Sequence, residues 1–293
     1  MQRTPDDRPV FRFAPSPNGE LHLGHALSAL DGYGQAKAAG GRFLLRIEDI
    51  DIGRTRPEFV TGIFEDLRWL GLEWEEPVLF QSQRMDAYRA AAGRLAALGL
   101  LYQCFATRSQ IEAAVTDGAS DPDGAPLYPG LWKGRAPVEI AEKRAAGESP
   151  ALRIDMAAAL KLGTEKSRGA PLTFVEAASD GTRQTVEAHP ERWGDAVIVR
   201  KDVATSYHLA VVVDDASQGV THVTRGRDLY AATDLHRLLQ ALLGLPEPIY
   251  RHHRLIMDET GRKLAKSAKD TSLRALRERG ASVAEVRRLI GLA

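Results

Sequence analysis

Short apolar runs bounded by glycine and proline alternate with longer stretches of helical period along the first third of the chain. Val10-Phe-Arg-Phe-Ala14 reads as a strand, and the loop after it is rich in breakers, with Pro15, Pro17 and Gly19. Leu23 to about Ala39 has helical character and is stopped by Gly40-Gly41. Arg42-Phe-Leu-Leu-Arg-Ile47 is a second strand, ending in an acidic cluster of Glu48, Asp49 and Asp51. Phe59, Ile63, Leu67 and Leu70 then recur at spacings of three and four, which places one apolar stripe on a helix. A further helix is expected from about Arg84 to Leu98. Strand, helix, strand and helix in this order predict a parallel sheet covered on both faces.

The pattern weakens from about Cys104 to Pro190, where Gly, Pro and Asp cluster, and this stretch is read as an inserted subdomain. Regular patterning resumes with strands expected at Ala196–Arg200, His208–Val213 and Gly219–Thr224, then a helix from about Tyr230 to Leu243. One or two helices are expected at the end of the chain. The resulting division is 1–103 and 191–270 as two halves of an α/β domain, 104–190 as the insertion, and 271–293 as a helical segment.

Composition narrows the class. At 293 residues, the chain suits one large domain with an insertion, and 44% hydrophobic with 27% charged residues is ordinary for a globular protein. No apolar run approaches a membrane span, and the acidic, Pro-containing N-terminus does not resemble a signal peptide. The single cysteine, Cys104, excludes an internal disulfide and fits a reducing cytoplasm, where the protein is expected to act as a monomer. Basic and acidic residues balance at 39 each, so a nucleic-acid partner requires a local basic face. Arg274, Arg277, Arg279, Arg287 and Arg288 near the end suit either a solvated helix face or phosphate contact.

Two short words carry the candidate chemistry. His22-Leu-Gly-His25 opens the first helix after the first strand, where backbone N–H groups and the helix dipole favour phosphate. Gly24 is expected to let a nucleotide approach the backbone, while the two imidazoles donate to phosphate oxygens. Lys263-Leu-Ala-Lys-Ser267 lies far downstream in a Gly-containing loop, and Lys266 is a mobile cation suited to a triphosphate under attack. Either word alone is weak or only moderately specific. Together, in this order, they are strong.

With these words, Arg12-Phe-Ala-Pro-Ser-Pro17, Arg46-Ile-Glu-Asp-Ile-Asp51, Val213-Asp-Asp215 and His222-Val-Thr-Arg-Gly226 resemble the glutamyl class I aminoacyl-tRNA synthetases, from about residue 10 to residue 267. Ile50 and the short tail after Ser267 resemble the short paralogues of that group, which carry no anticodon-binding domain. The resemblance implies a Rossmann-type α/β catalytic domain with an inserted α+β acceptor-binding-like subdomain. It implies ATP, accompanied by Mg2+, and L-glutamate as substrates, with glutamyl-adenylate formed first. Transfer to queuosine in the anticodon stem-loop of tRNA(Asp) is implied next. His22, His25 and Lys266 would be catalytic, and His22, Gly24, His25, Lys263, Lys266 and Ser267 would hold ATP. Arg12, Phe13, Ala14, Pro15, Ser16, Glu48, Tyr207 and Arg225 would line the glutamate pocket. Arginines can fork onto carboxylates and Glu48 can pair with the α-ammonium, but which arginine takes which carboxylate stays open.

Some members of that group bind zinc in the insertion through three Cys and one Tyr. Here the corresponding positions hold Cys104, Ala106, Tyr128 and Trp132, so no zinc is expected. Ala265 departs from the group's Ser or Met without an expected loss of activity. Tyr128, Trp132, Lys133 and Arg135 are candidates for contact with loop bases. Three other readings remain: a minimal enzyme charging a tRNA 3′ end, a non-catalytic tRNA-binding paralogue, and a small nucleotidyltransferase.

Overall fold

The computed structural model describes residues 7–116, 118–257 and 272–292. Three strands open the main sheet, β1 (Val10–Phe13), β2 (Arg42–Ile47) and β3 (Glu75–Phe80), joined by helices α1 (Leu23–Ala38) and α2 (Pro57–Trp69). Helix α3 (Met85–Ala97) leads to β4 (Leu101–Cys104), α4 (Arg108–Ala114), α5 (Pro137–Ala145), β5 (Ala151–Ile154) and α6 (Met156–Lys166). Next come β6 (Thr173–Ala177), β7 (Arg183–Glu187), β8 (Val197–Val199) and α7 (Tyr207–Ser217). The chain ends with β9 (His222–Gly226), α8 (Ala232–Leu243), β10 (Ile249–His253), α9 (Leu273–Glu278) and α10 (Val283–Leu289).

The seven-stranded sheet has the order β3-β2-β1-β9-β10-β6-β7, and only the β6–β7 pair is antiparallel. β1 and β9 lie side by side in the interior of the sheet, with β2 and β3 on one side of the pair and β10 on the other, so the strand order reverses between them. That reversal opens a crevice at the carboxyl ends of β1 and β9, where doubly wound sheets bind ligands. Alternation along β1 divides the core. Val10 faces a cluster with Leu44, Val223, Tyr250 and helices α3, α6, α7 and α8. Phe11 and Phe13 face the other cluster, with α1, α2, α9 and α10.

The expected strand at His208–Val213 is a helix, α7. Leu-Ala-Val-Val-Val is apolar without alternation, and such a run suits a buried helix as well as a buried strand. The flanks decide: Ser206 Oγ accepts the Leu209 N–H at 3.4 Å as an N-cap, and Asp214 and Asp215 extend the buried surface into the last turn. Within α7, Leu209 to Val212, Asp214 and Asp215 are all buried.

The stretch 104–190 is more ordered than its pattern predicts. β4, β5 and β8 form a separate antiparallel sheet, whereas β6 and β7 extend the edge of the main sheet. The main sheet therefore takes in two strands from the expected insertion. Cys104, Ala106 and Tyr128 are buried together, with Trp132 packed against them. Tyr128 Oη accepts the Trp132 N–H at 2.7 Å, Cys104 Sγ lies 3.3 Å from the same oxygen, and the Arg153 guanidinium sits 3.9 Å above the ring. Lys133 is held by Asp155 and Asp195 at 2.8 and 3.1 Å, and Arg135 by Glu139 at 2.9 Å. Tyr128 and Lys133 thus serve the subdomain's own packing. Of the C-terminal arginines, Arg274 pairs with Glu20, Arg277 with Glu65 and Asp66, and Arg279 with Glu285. No helix among the described residues is long and apolar enough to cross a membrane.

Asp214 is fully buried and accepts from Gln81 Nε2 at 2.9 Å, Arg84 Nε at 2.6 Å and Tyr88 Oη at 2.6 Å. Replacing it by Ala strands those donors, and Asp214→Ala is expected to cost about 3–5 kcal/mol. Urea unfolding followed by far-UV circular dichroism measures this, and an unchanged midpoint would contradict the assignment.

Candidate functional site

A cavity of about 480 Å3 occupies the crevice at the carboxyl ends of β1 and β9. Its walls include Arg12, Phe13, Ala14, Pro15, Ser16, His22, Gly24, His25, Glu48, Tyr207 and Arg225, residues singled out from sequence and scattered over more than two hundred positions. Lys263, Lys266 and Ser267 lie outside the described residues, as does Ala265. Lining residues not anticipated include Ser28, Thr224, Asp228, His253 and Arg254. Ser28 Oγ lies 2.6 Å from His253 Nε2, joining α1 to the end of β10.

The two histidines of the first word cap α1 reciprocally. His22 Nδ1 accepts the Gly24 N–H at 3.1 Å, and His25 Nδ1 accepts the His22 N–H at 3.2 Å. Both Nδ1 atoms accept, so each neutral ring carries its proton on Nε2. A Cβ on Gly24 would meet His22 Cε1 at 2.9 Å. A side chain here would displace the imidazole folded over the helix start, a constraint that holds independently of any close approach by a nucleotide.

Arg12 and Arg46 alternate with apolar residues on β1 and β2 and share the face that α7 covers. Asp215, near the end of α7, accepts from Arg12 Nε at 3.1 Å and from Arg46 Nη1 at 2.7 Å. Arg46 is wholly buried and also donates to Glu48 Oε1 at 3.1 Å and Gln218 Oε1 at 3.1 Å. Burial pushes the Asp215 carboxyl up, but the Arg12 and Arg46 guanidiniums outweigh it and hold it below the usual range. Glu48 is different: burial dominates and raises its carboxyl despite Arg46 and Arg12. Arg46 and Asp215 were not expected as site residues. A charged residue inside an apolar strand was the available signal, since a buried guanidinium must find carboxylates.

Arg225 is also buried, yet it makes no ion pair among the described residues. Its Nε donates to His252 Nε2 at 3.0 Å, Nη2 to Thr233 Oγ1 at 2.8 Å, and Nη1 lies 3.3 Å from His236 Nδ1. Tyr207 opens α7 beside it, and burial raises the phenol. The cavity thus combines one guanidinium neutralised by Asp215, one with neutral partners, a buried carboxyl, and a helix N-terminus bearing two imidazoles. Such a set suits a zwitterion with a second carboxylate, placed beside a phosphate.

Comparison with known proteins agrees with this chemistry. A glutamyl-Q tRNA(Asp) synthetase of Rhodobacter capsulatus is 48% identical over 97% of this chain and 100% of its own length. A second, from Symbiobacterium thermophilum, is 40% identical over 92% of this chain and 82% of its own. The solved glutamate tRNA ligase of Elizabethkingia meningosepticum, in complex with its amino acid, superposes with a TM-score of 0.69 at 26% identity. That match covers 94% of this chain and 53% of the ligase, so the chain spans about half the solved enzyme. The family model for the catalytic domain of class I tRNA synthetases (E and Q) matches residues 10–292, and the chain belongs to that family.

Proposed function

We propose that the protein activates L-glutamate with MgATP and transfers it to queuosine in the anticodon loop of tRNA(Asp). The observation that carries the reading is the cavity itself, with Arg12, Glu48, Tyr207 and Arg225 gathered beside the His22–His25 cap. The names of two similar relatives support the choice of acceptor. In this reading the substrate α-carboxylate attacks the α-phosphorus of ATP and pyrophosphate leaves, so no protein nucleophile is needed. The Nε2–H groups of His22 and His25 and the start of α1 stabilise the phosphate charge that develops. Glu48 accepts the α-ammonium, whose charge offsets the burial that raises the carboxyl. The α-carboxylate loses its charge when the anhydride forms, whereas the side-chain carboxylate stays an anion throughout. Arg225, buried without a carboxylate partner, suits that permanent anion. Arg12, already neutralised by Asp215 at 3.1 Å, suits the transient one.

Zinc is not part of the proposal. Cys104, Ala106, Tyr128 and Trp132 offer one thiol and one phenol where a closed site needs four ligands, and a guanidinium covers the phenol ring at 3.9 Å. Metal analysis of purified protein is expected to find no stoichiometric zinc, and a chelator to leave the thermal midpoint unchanged.

Glutamate-dependent ATP–pyrophosphate exchange without tRNA is expected, followed by transfer of labelled glutamate to queuosine-containing tRNA(Asp). The label should survive removal of the 3′ end and be missing from queuosine-free tRNA. Equal labelling of tRNA(Glu) would sink the choice of acceptor, and absence of exchange would sink the enzyme. Lys266→Ala should slow adenylate formation far more than it weakens glutamate binding, by single-turnover kinetics against equilibrium titration. Equal losses would count against a transition-state role for that lysine.

A further inference from the structure

Arg225 stands at the centre of three histidines that come from different elements. His252 lies on β10, His236 on α8 and His208 on α7. All three face the guanidinium directly or through one another, and none was singled out from sequence. Their protonation states follow from geometry. Glu176 on β6 accepts the His252 backbone N–H at 2.9 Å, and its other oxygen lies 2.8 Å from His252 Nδ1. A carboxylate only accepts, so His252 Nδ1 carries a proton. A guanidinium only donates, so His252 Nε2, 3.0 Å from Arg225 Nε, presents a lone pair. The same logic makes His236 Nδ1 an acceptor for Arg225 Nη1 at 3.3 Å. The His236 proton then sits on Nε2, 3.2 Å from His208 Nδ1. Thr233 Oγ1 completes the set, accepting from Arg225 Nη2 at 2.8 Å.

We propose that His236 and His252 are positioning residues: as neutral imidazoles they fix Arg225 through acceptor nitrogens alone and leave its positive charge to be matched by a carboxylate of the substrate. The inference rests on the reading that Arg225 binds a substrate carboxylate. An imidazolium at either place would set N–H against N–H beside a buried guanidinium. A carboxylate there would hold the arginine as well but cancel its charge. Burial agrees with the assignment: it holds all three rings below the usual imidazole range, His208 at about 4, with Arg225 itself adding to the effect. The contrast with Arg12 is internal to the cavity, since Asp215 already matches that guanidinium. A neutral collar is therefore a specificity device. An uncancelled guanidinium in a buried site favours an anion over its isosteric amide far more than a neutralised one does.

The test is glutamate- and glutamine-dependent ATP–pyrophosphate exchange by the full chain, with thermal midpoints measured in parallel. His236→Phe keeps a ring but removes the acceptor, and should raise the KM for glutamate by roughly tenfold or more while leaving the KM for ATP unchanged. His236→Asn returns an accepting oxygen and should recover most of that loss. His236→Asp keeps an acceptor but pairs the charge, and should lower the glutamate-over-glutamine ratio of kcat/KM by roughly tenfold or more. An unchanged glutamate KM in His236→Phe, or unchanged selectivity in His236→Asp, overturns the collar. Should His236→Phe fail to fold, equal selectivity of the Asn and Asp variants overturns it. Arg225→Met separates the two levels of inference: an unchanged glutamate KM there refutes the reading of Arg225 itself. A raised KM there with a normal His236→Phe refutes only the positioning role.

Discussion

Everything at the crevice depends on where α7 lies, and α7 is fixed by two adjacent buried carboxylates. Asp215 binds Arg12 of β1 and Arg46 of β2, while Asp214 binds Gln81, Arg84 and Tyr88. One helix end is thereby tied to two parallel strands and to the segment leading into α3. Burying a charge is expensive unless it is paired and hydrogen-bonded, so these carboxylates have few alternatives to this arrangement. The same helix begins with Tyr207 in the cavity wall and His208 against His236. Its ends therefore do different work: the C-terminal end locks the register with the sheet, and the N-terminal end delivers side chains to the cavity wall.

The lock also sets the charge pattern of the cavity. Arg12 and Arg46 share Asp215, and Arg46 also meets Glu48, so the β1–β2 side is close to balanced before any ligand binds. The β9 side is not. Arg225 is held by three hydrogen bonds, one from each nitrogen, but has no charge partner among the described residues. Hydrogen-bond satisfaction and charge neutralisation are separable conditions, and the cavity meets them with different residue types on its two sides. A pocket with every cation neutralised would bind a neutral amide and an acid with little distinction. One with an unheld guanidinium would lose precision through rotamer freedom.

How much of this was legible in the chain follows from the range of the interactions. β1, β2 and the first three helices are legible because their periodicity and breakers are local, whereas β3, with Glu75, Glu76 and Pro77, carries no such pattern. His22 and His25 stand out as candidate phosphate donors, but the cap they form shows only in the fold. α7 was misread because five apolar residues carry no period, and the deciding partners of Asp214 and Asp215 lie on other elements. β6 and β7 carry no mark that they join the main sheet, since strand pairing to β10 is specified by packing across the fold. The three histidines around Arg225 sit at positions 208, 236 and 252, and only the meeting of α7, α8 and β10 makes them a set. Arg46 was the exception, visible as a charge amid Phe43, Leu44, Leu45 and Ile47 but passed over because its purpose needed Asp215.

The first of the two words is also tied by backbone to the far end of the chain. Ser272 forms an isolated antiparallel bridge with His22, and the Leu273 N–H donates to Leu21 O at 2.8 Å. The residue that caps α1 is therefore the one to which the far end of the chain is sewn. α9 holds that return in place: Leu273 and Leu276 are buried in the core beneath α1 and α2, and Arg277 reaches Glu65 at 2.8 Å and Asp66 at 3.3 Å. Arg274 adds Glu20, two residues before the cap. Contacts on α2 thus bear on the geometry of His22 without touching the cavity, through a short covalent path from α9 to Ser272. The C-terminal arginines, ambiguous in the sequence between a solvated face and a phosphate contact, gain a third meaning from this path: Arg274 and Arg277 brace the capped N-terminal end of α1 from outside.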